Sequence, residues 1–228
     1  MTRRVLIVGA GGFGREILHW VDLALQAGSQ PDWRVGGFLD QNAAALDGFE
    51  IDVPIVGDPA TYQPQPDDLF LNAIGAPQTK LAVCRQLAER GADFPAWVHP
   101  LASLAARSRL GRGTLLLPNS GVSVDVTIGE FVTLNCRSVV GHDAVIGDGC
   151  TLNSFVDVAG GAVLGTGVSV GSHGVIAPRA SVGDFTTVGA GSVVVRKTKP
   201  GTTVLGVPAK RLEFPAEVPV SVEQRRSA

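Results

Sequence analysis

The stretch LNCRSVVGHDAVIGDGCTL, residues 134–152, carries an aliphatic residue at every sixth position. Counting in both directions keeps this register unbroken from Leu104 to Val194, and all sixteen positions hold Leu, Ile or Val. A period of six fits neither an α-helix nor an alternating strand, but it is typical of a solenoid with three flat sides and one inward aliphatic residue per side. Three sides make an 18-residue coil, so the stretch predicts five coils stacked at about ~4.8 Å.

Glycine directly follows the aliphatic residue at half of these positions. Because glycine adopts backbone conformations that other residues avoid, we expect it to form the turns between the sides. The glycines are Gly111, Gly129, Gly141, Gly147, Gly165, Gly171, Gly183 and Gly189.

The chain before residue 98 has a different pattern. Strand-like runs, VLIVG (5–9), GGFLD (36–40) and LFLNAIG (69–75), alternate with helical periodicity over residues 17–25 and 81–87. This order is typical of a βαβ unit. The sequence therefore predicts an α/β half-Rossmann domain over residues 1–97, followed by an all-β solenoid domain over residues 98–228.

GAGGFGRE, residues 9–16, contains the spacing GxGxxG at Gly9, Gly11 and Gly14. Glycines there permit a tight turn and leave a helix N-terminus facing phosphate. A dinucleotide normally spans two such halves, whereas this chain has one, and Asp40 comes 26 residues after Gly14. We therefore expect a phosphate site for one nucleotide and no NAD.

Composition excludes several classes of function. The 228 residues carry a net charge of −2 without a long basic run, which argues against nucleic acid as a partner. Three cysteines without a CxxC pair argue against a disulfide framework or a zinc site. No run approaches the ~20 apolar residues of a membrane helix, and the N-terminus lacks a signal-peptide pattern. The expectation is a cytoplasmic protein without a membrane span.

His142 is the histidine of the repeat most suited to chemistry. One 18-residue coil places Gly160 over it, which leaves room for a thin ligand and exposes an N–H to developing negative charge. Asp143 follows and suits the tuning of a general base, although side chains adjacent on a strand point apart. The alternative is a surface His–Asp pair. His173 lies 31 residues away, not a multiple of 18, so no metal site is expected.

Two further features have both a structural and a functional interpretation. TLN at residues 133–135 recurs as TLN at 151–153; we expect Asn153 to be a structural ladder residue, while Asn135 is equally suited to a polar role near His142. The tail is locally basic and suits the phosphates of coenzyme A, or is simply a solvated tail. Its cations are Arg196, Lys197, Lys199 and Lys210.

Together, several motifs resemble the NeuD/PglD-type sugar acetyltransferases, which include bacillosamine-pathway and perosamine N-acetyltransferases. They are VLIVGAGGFGREIL (5–18), GGFLD (36–40), NAIGAPQTK (72–80), WVHPLA (97–102), VVGHDAVIG (139–147) and GVPAK (206–210). The resemblance implies a left-handed parallel β-helix of hexapeptide repeats, a homotrimer with active sites between subunits, acetyl-CoA as co-substrate and no metal.

The resemblance also implies roles for individual residues. Gly11, Gly12 and Phe13 would line the phosphates of a nucleotide-linked sugar, Asp40 and Gln41 its base or ribose, and Gly75 the sugar nucleotide. His142 would be the catalytic base tuned by Asp143, with Asn135 and Gly160 near the acetyl group. Thr151 stands where a relative has a second histidine, and Gln41 and Lys80 depart from the commoner acidic and Arg choices. The remaining coenzyme A contacts would be Ser172, Ala190, Gly206 and Lys210.

The function implied is N-acetylation of a nucleotide-linked amino-sugar for bacterial surface glycan or lipopolysaccharide biosynthesis. Two alternatives stay open at this point. One is O-acetylation of sialic acid or a polysaccharide sugar on the same scaffold, and the other is a nucleotide-sugar-binding scaffold without catalysis.

Overall fold

The computed structural model describes residues 2–213 and begins with a small parallel sheet. Its elements are β1 (Arg3–Val8), α1 (Gly12–Gln26), β2 (Trp33–Leu39), β3 (Ile55–Gly57), β4 (Asp68–Asn72) and α2 (Pro77–Glu89). The strands pair in the order β3-β2-β1-β4, and all are parallel. The predicted βαβ unit is confirmed. The sequence analysis missed β3, because this edge strand has only three residues and too few positions for a pattern.

The rest of the described chain is a parallel β-helix of very short strands. They are β5 (Trp97–Val98), β6 (Ser103–Leu104), β7 (Arg109–Leu110), β8 (Leu115–Leu116), β9 (Gly121–Val122), β10 (Thr127–Ile128), β11 (Thr133–Leu134), β12 (Val139–Val140), β13 (Val145–Ile146), β14 (Thr151–Leu152), β15 (Asp157–Val158), β16 (Val163–Leu164), β17 (Ser169–Val170), β18 (Val175–Ile176), β19 (Ser181–Val182), β20 (Thr187–Val188), β21 (Val193–Val194), β22 (Thr203–Leu205) and β23 (Lys210–Arg211).

The six-residue register predicts this region residue by residue. Each of the sixteen predicted aliphatic positions is the last residue of one of the strands β6 to β21, and fourteen of them are buried. Leu104, in the first coil, is 42% exposed. Strands pair with a partner 18 residues away, as Leu134 does with Leu152. The predicted coil is confirmed, and the solenoid is consistent with a left-handed β-helix.

The strands form three faces. Face 1 contains β5, β8, β11, β14, β17, β20, β22 and β23; face 2 contains β6, β9, β12, β15, β18 and β21; face 3 contains β7, β10, β13, β16 and β19. Three corners separate them. Corner 1/2 includes residues 135–138, 153–156, 171–174 and 189–192; corner 2/3 includes 141–144 and 159–162; corner 3/1 includes 147–150 and 165–168.

The prediction that glycine after the aliphatic residue makes the turns was wrong. The left-handed backbone (positive φ) occurs three positions after the aliphatic residue, at fifteen consecutive corners from Arg107 to Gly191, and ten of those residues are not glycine. Gly147 serves close stacking instead: a Cβ there would come within 2.6 Å of the Gly165 backbone. These glycines lie where the backbones of neighbouring coils are in contact. The left-handed backbone of the turn is adopted by Asn119, Asp143 and even Phe155.

The N-terminal sheet packs against face 1 of the β-helix. Trp97, Leu115 and Leu117 are buried in one core with Val5 and Phe38. On the other side of the sheet, Phe131 joins a second core with Leu81 and Phe94. The predicted boundary after residue 97 falls inside β5, because Trp97 already pairs with Leu115. Neither helix between residues 2 and 213 has the length and apolar character needed to cross a membrane.

Replacing Gly147 with Ala should lower the free energy of unfolding by about 1–3 kcal/mol, because the added methyl group has backbone as its neighbour. Gly191→Asn is the matched contrast: nothing lies within 4 Å of a Cβ there, and other corners hold non-glycine residues at this φ. We expect its stability to change by no more than about 0.5 kcal/mol. Urea unfolding followed by circular dichroism measures both; equal losses would contradict the distinction.

Candidate functional site

His142 and Asp143 form a pair at corner 2/3. The His142 Nδ1 lies 2.7 Å from Asp143 Oδ2, and each side chain is 66% exposed. Adjacent residues on a strand would point apart, but Asp143 has φ 60° and belongs to the corner. The turn brings its carboxylate back onto the imidazole. The contact leaves Nε2 facing outward as a proton acceptor when Nδ1 carries the proton.

Gly160 lies directly beneath the imidazole, as the 18-residue coil predicts. A Cβ on Gly160 would come within 2.6 Å of His142 Nε2 and 2.7 Å of its Cε1. Among residues 2–213 no backbone carbonyl accepts the Gly160 N–H. The missing side chain therefore leaves a narrow space beside His142 Nε2, and the Gly160 N–H has no backbone acceptor.

The glycine-rich turn forms the N-terminus of α1, which starts at Gly12 with Gly11 as its cap. Arg15 adds a positive charge there: its guanidinium lies 3.6 Å from the Phe49 ring centre and 3.8 Å from the Cβ position of Gly12. A helix N-terminus with an adjacent guanidinium suits phosphate groups. The Phe13 side chain is half-buried and packs in part against the core of the sheet.

Two cavities flank the turn. The first, the Asp40 cavity, contains Gly9, Asp40 and Gln41 in its lining, with Ile74 and Thr79 opposite. Asp40 is committed in part to the fold, since its Oδ2 accepts the N–H of Ala10 at 2.8 Å.

The second cavity, the Glu16 cleft, lies between α1 and corner 1/2. Its lining is Gly12, Arg15, Glu16, His19, Trp20, Asn135, Cys136 and Ser154.

Asn135 and Asn153 lie in different surroundings, although both belong to a TLN tripeptide. Asn153 donates from Nδ2 to the carbonyl of Val170 at 2.9 Å, which is a structural contact along corner 1/2. Asn135, one coil earlier, lies in the wall of the Glu16 cleft. It therefore stands beside the N-terminal domain, away from His142 of the same chain.

Thr151 is placed away from any open surface. It is 4% exposed, donates to the carbonyl of Gly75 at 3.0 Å and accepts from Lys80 Nζ at 2.9 Å. Its hydroxyl is thus engaged inside the protein between face 1 and α2. The structure does not present it to a cofactor, because the N-terminal domain covers that part of face 1.

Lys80 is the centre of this buried polar contact, and the sequence analysis gave it no role. It is fully buried and its ammonium also contacts the Cys150 carbonyl at 3.0 Å and Thr133 Oγ1 at 3.3 Å. Burial lowers the pKa of Lys80 to about 8. Three oxygen acceptors match the three N–H donors of an ammonium group. Lys80 therefore fixes α2, and with it Gly75, on the β-helix.

The other predicted coenzyme A residues lie at two different corners. Ser172 and Ala190 follow one another on corner 1/2, while Gly160 lies on corner 2/3 with His142. Gly206 and Lys210 belong to the hairpin of β22 and β23. Beside that hairpin, Lys197, Lys199 and Arg211 line a basic cleft. The predicted domain extends to residue 228, and its part from 214 onward lies outside the described residues.

His142 and the N-terminal domain of the same chain are on opposite sides of the β-helix. That domain contacts face 1 and its two flanking corners, through Lys80, Cys136 and the contact of Leu81 with Gly149. Corner 2/3 is the remaining corner of the triangle. The imidazole therefore points away from both cavities of its own chain.

The sequence motif GAGGFGRE already contained two residues of this site, Arg15 and Glu16. Their place on the exposed side of α1 follows from the burial of Ile17 and Leu18. Trp20 and Lys80 carried no comparable signal, because each gains its role from a contact made across the two domains.

Comparisons with known proteins agree with this architecture. Residues 4–87 match the family model described as the PglD N-terminal domain. No curated protein sequence matches the chain. No group of three His, Cys, Asp or Glu side chains within residues 2–213 is arranged to hold a metal ion.

Several solved structures match over almost the whole chain. PerB from Caulobacter crescentus, in complex with CoA and GDP-perosamine, has 29% identity and a TM-score of 0.80, covering 92% of this chain and 97% of its own. WeeI from Acinetobacter baumannii AYE has 26% identity and a TM-score of 0.69, covering 92% and 100%. The acetyltransferase domain of PglB from Neisseria gonorrhoeae FA1090, in complex with acetyl coenzyme A, shares the fold at 24% identity and a TM-score of 0.67, covering 93% and 100%.

The buried Lys80 predicts a pH dependence of stability. Between its folded pKa of about 8 and its ordinary value near ~10.4, the unfolded chain binds the proton that the folded chain has lost. Stability of the wild type relative to Lys80→Met should therefore increase as the pH rises above about 8. Urea unfolding at a series of pH values measures the difference.

Lys197→Met, which removes an exposed lysine, is the control and should track the wild type. Both variants keep Cys84 and Cys150, whose pKa values burial raises to about 12. Those thiols shift stability in the opposite direction at higher pH, and the part of their shift that burial causes is common to the wild type and both variants. A wild-type and Lys80→Met difference that stays constant with pH would contradict the prediction.

Proposed function

Because the chain is of the NeuD/PglD type, we propose that it is an acetyl-CoA-dependent N-acetyltransferase acting on a nucleotide-linked amino-sugar. The observation that carries the proposal is the exposed His142–Asp143 pair over Gly160 on the β-helix, in a chain whose N-terminal domain has a glycine-rich turn at the start of α1. PerB, the similar structure at 29% identity, is described with CoA and GDP-perosamine bound. Two further matching structures are PerB variants in which one histidine is replaced.

In the proposed reaction the amine nitrogen of the acceptor attacks the thioester carbonyl of acetyl-CoA. The new C–N bond forms as His142 Nε2 takes a proton from the nitrogen, and the Gly160 N–H stabilises the oxyanion. The C–S bond then breaks, and the coenzyme A thiolate leaves and is protonated. Asp143 holds the imidazole in the tautomer that leaves Nε2 free, because it accepts from Nδ1.

The acceptor's nucleotide would lie at the N-terminal domain. The backbone at Gly11 and Gly12 with the Arg15 guanidinium would bind the diphosphate, and the Asp40 cavity would take the ribose or base. Gly75 borders this region because Thr151 and Lys80 hold its loop. One phosphate-binding turn is sufficient for one nucleotide.

The site would be completed by a second copy of the chain, in a homotrimer. His142 faces away from the cavities of its own chain, so an acceptor bound there needs an imidazole from a neighbour. Outward-facing Val139, Val145 and Val163 on faces 2 and 3 are each 43–44% exposed, which suits contact between subunits. Coenzyme A would then lie between corner 2/3 of one subunit, with Gly160, and corner 1/2 of the next, with Ser172 and Ala190.

The closing hairpin supports this placement of coenzyme A. Lys197, Lys199 and Arg211 gather beside Gly206 and Lys210 at the C-terminal end of the described coils. Three cations at one cleft suit the phosphates of the nucleotide part. The product would serve bacterial surface glycan biosynthesis in the cytoplasm.

Replacing His142 with Ala should lower kcat by about 10²–10⁴-fold, since general-base assistance contributes that much. Release of free coenzyme A thiol with GDP-, UDP- and dTDP-linked amino-sugars measures it. Binding of the nucleotide sugar should be nearly unchanged in calorimetry, because the proposed contacts with the diphosphate, ribose and base all come from the N-terminal domain. Full turnover in the variant would remove His142 from this role, and a chain that binds sugar nucleotide without ever transferring acetyl would be a scaffold.

Assemblies of two inactive variants test whether a second copy of the chain completes the site. Gly11→Glu puts a carboxylate where phosphate would bind, in open space, and should abolish turnover, as should His142→Ala. Co-expressing the two chains should restore about a quarter of wild-type turnover, because random mixing pairs an intact turn with an intact imidazole in that share of sites. Separately purified and briefly mixed chains are the control. Persistent inactivity of the co-expressed chains would place the whole site within one chain.

A further inference from the structure

The Glu16 cleft holds a carboxylate that the proposed reaction has not yet used. The cleft has a volume of about 510 Å³ and lies between the first two turns of α1 and corner 1/2. Gly12, Glu16 and Trp20 recur at intervals of four residues and therefore lie on the same side of the helix. The cleft continues directly from the phosphate-binding turn.

Glu16 is exposed and has no ion-pair partner in the structure between residues 2 and 213. Its neighbour Arg15 is held on the Phe49 ring instead. The Glu16 carboxylate lies in the wall of the cleft, as does Cys136 on the opposite side. It is the sole carboxylate in the wall of the cleft.

The other groups of the wall match a sugar ring. Trp20 offers an aromatic surface and is kept in place between His19, at 4.8 Å between ring centres, and His99, at 6.0 Å. Asn135 and Ser154 supply an amide and a hydroxyl for sugar hydroxyls. Trp20, Asn135 and Ser154 carry no charge, and the proposed reaction assigns Arg15 to the diphosphate, so the carboxylate is the group of the wall suited to a positively charged substituent of the sugar.

We propose that Glu16 recognises the amino group of the acceptor sugar and makes this site specific for amines over hydroxyls. The inference rests on the proposed function and deepens it. Glu16 lies one helical turn, about 6 Å, beyond Gly12, so a sugar whose diphosphate is bound at the turn reaches the carboxylate with its ring. The carboxylate binds the ammonium form of the acceptor. The nitrogen then loses one proton to solvent and attacks as the neutral amine, and the neighbouring subunit's imidazole takes the second proton as the C–N bond forms.

Binding without acetyl-CoA provides the test. Calorimetry on the full chain compares a GDP-, UDP- or dTDP-linked amino-sugar with the same nucleotide sugar bearing a hydroxyl in place of the amine. The wild type should prefer the amine, and Glu16→Gln should lose roughly 10- to 100-fold of that preference, as expected for a charge-assisted hydrogen bond. Its affinity for the hydroxyl sugar should be unchanged. Glu89→Gln, which alters an exposed glutamate at the end of α2, is the matched control and should retain the preference.

The pH profile separates recognition from a merely structural effect. The wild-type preference should fall as the pH rises through the amine's own pKa, because the neutral amine no longer pairs with the carboxylate, and the Glu16→Gln preference should be flat. Arg15 and His19 on α1 and Cys136 and Arg137 on corner 1/2 are the other ionisable groups beside Glu16, and both proteins contain all four.

Three outcomes overturn the proposal: a retained preference in Glu16→Gln, an equal loss for both ligands, or a wild type without preference. Failure of the proposed function is recognised separately, by a wild type that binds the amino-sugar yet releases no thiol from acetyl-CoA. In that case a preference lost in Glu16→Gln still supports the role of Glu16 in binding.

Discussion

The contact between each residue and the residue 18 positions later determines nearly everything else in this molecule. Because coils stack at strand spacing, the backbone at one corner rests on the backbone of the next, as Gly147 does on Gly165. A residue at such a corner is either a glycine or directs its side chain outward. His142 can lie flat at its corner only because residue 160 is glycine, and the same absence leaves the Gly160 N–H beside the imidazole. The geometry on which the proposed reaction depends is therefore a consequence of the stacking.

The second constraint is the buried contact between α2 and face 1. Lys80 is an ammonium group with no carboxylate against it, held by two threonine hydroxyls and a carbonyl. Such a group is costly to bury unless each N–H has an acceptor, so the contact tolerates little displacement of the helix relative to the coils. Thr133 and Thr151 are one coil apart, which means that the same register that builds the β-helix also positions the N-terminal domain.

The sequence predicted the β-helix almost residue by residue because one aliphatic side chain per six residues is a local signal repeated sixteen times. It predicted the glycine-rich turn because the GxGxxG spacing is also a local pattern. It misjudged which residues take the left-handed backbone, since stacking and turning place glycine at different positions of the same hexapeptide. The contact between Thr151 and Lys80 could not be predicted from the sequence. It depends on which face of the β-helix the N-terminal domain covers, and no periodicity in the sequence indicates that face.

A rigid solenoid limits how catalysis can be organised. The register leaves no long loop between coils from Leu104 to Val194, so no lid is available in those coils to close over a substrate and exclude water. The N-terminal domain cannot bring its ligand to His142 of the same chain either, because it is fixed on the opposite side by Lys80 and by the cores shared with Trp97 and Phe131. In the proposed reaction, enclosure of the reacting groups would come from assembly, with the face of one β-helix closing the site of another. Helix α1 borders both the glycine-rich turn and corner 1/2. In the proposed reaction this helix would recognise the acceptor, and the Glu16 carboxylate would then contribute to specificity.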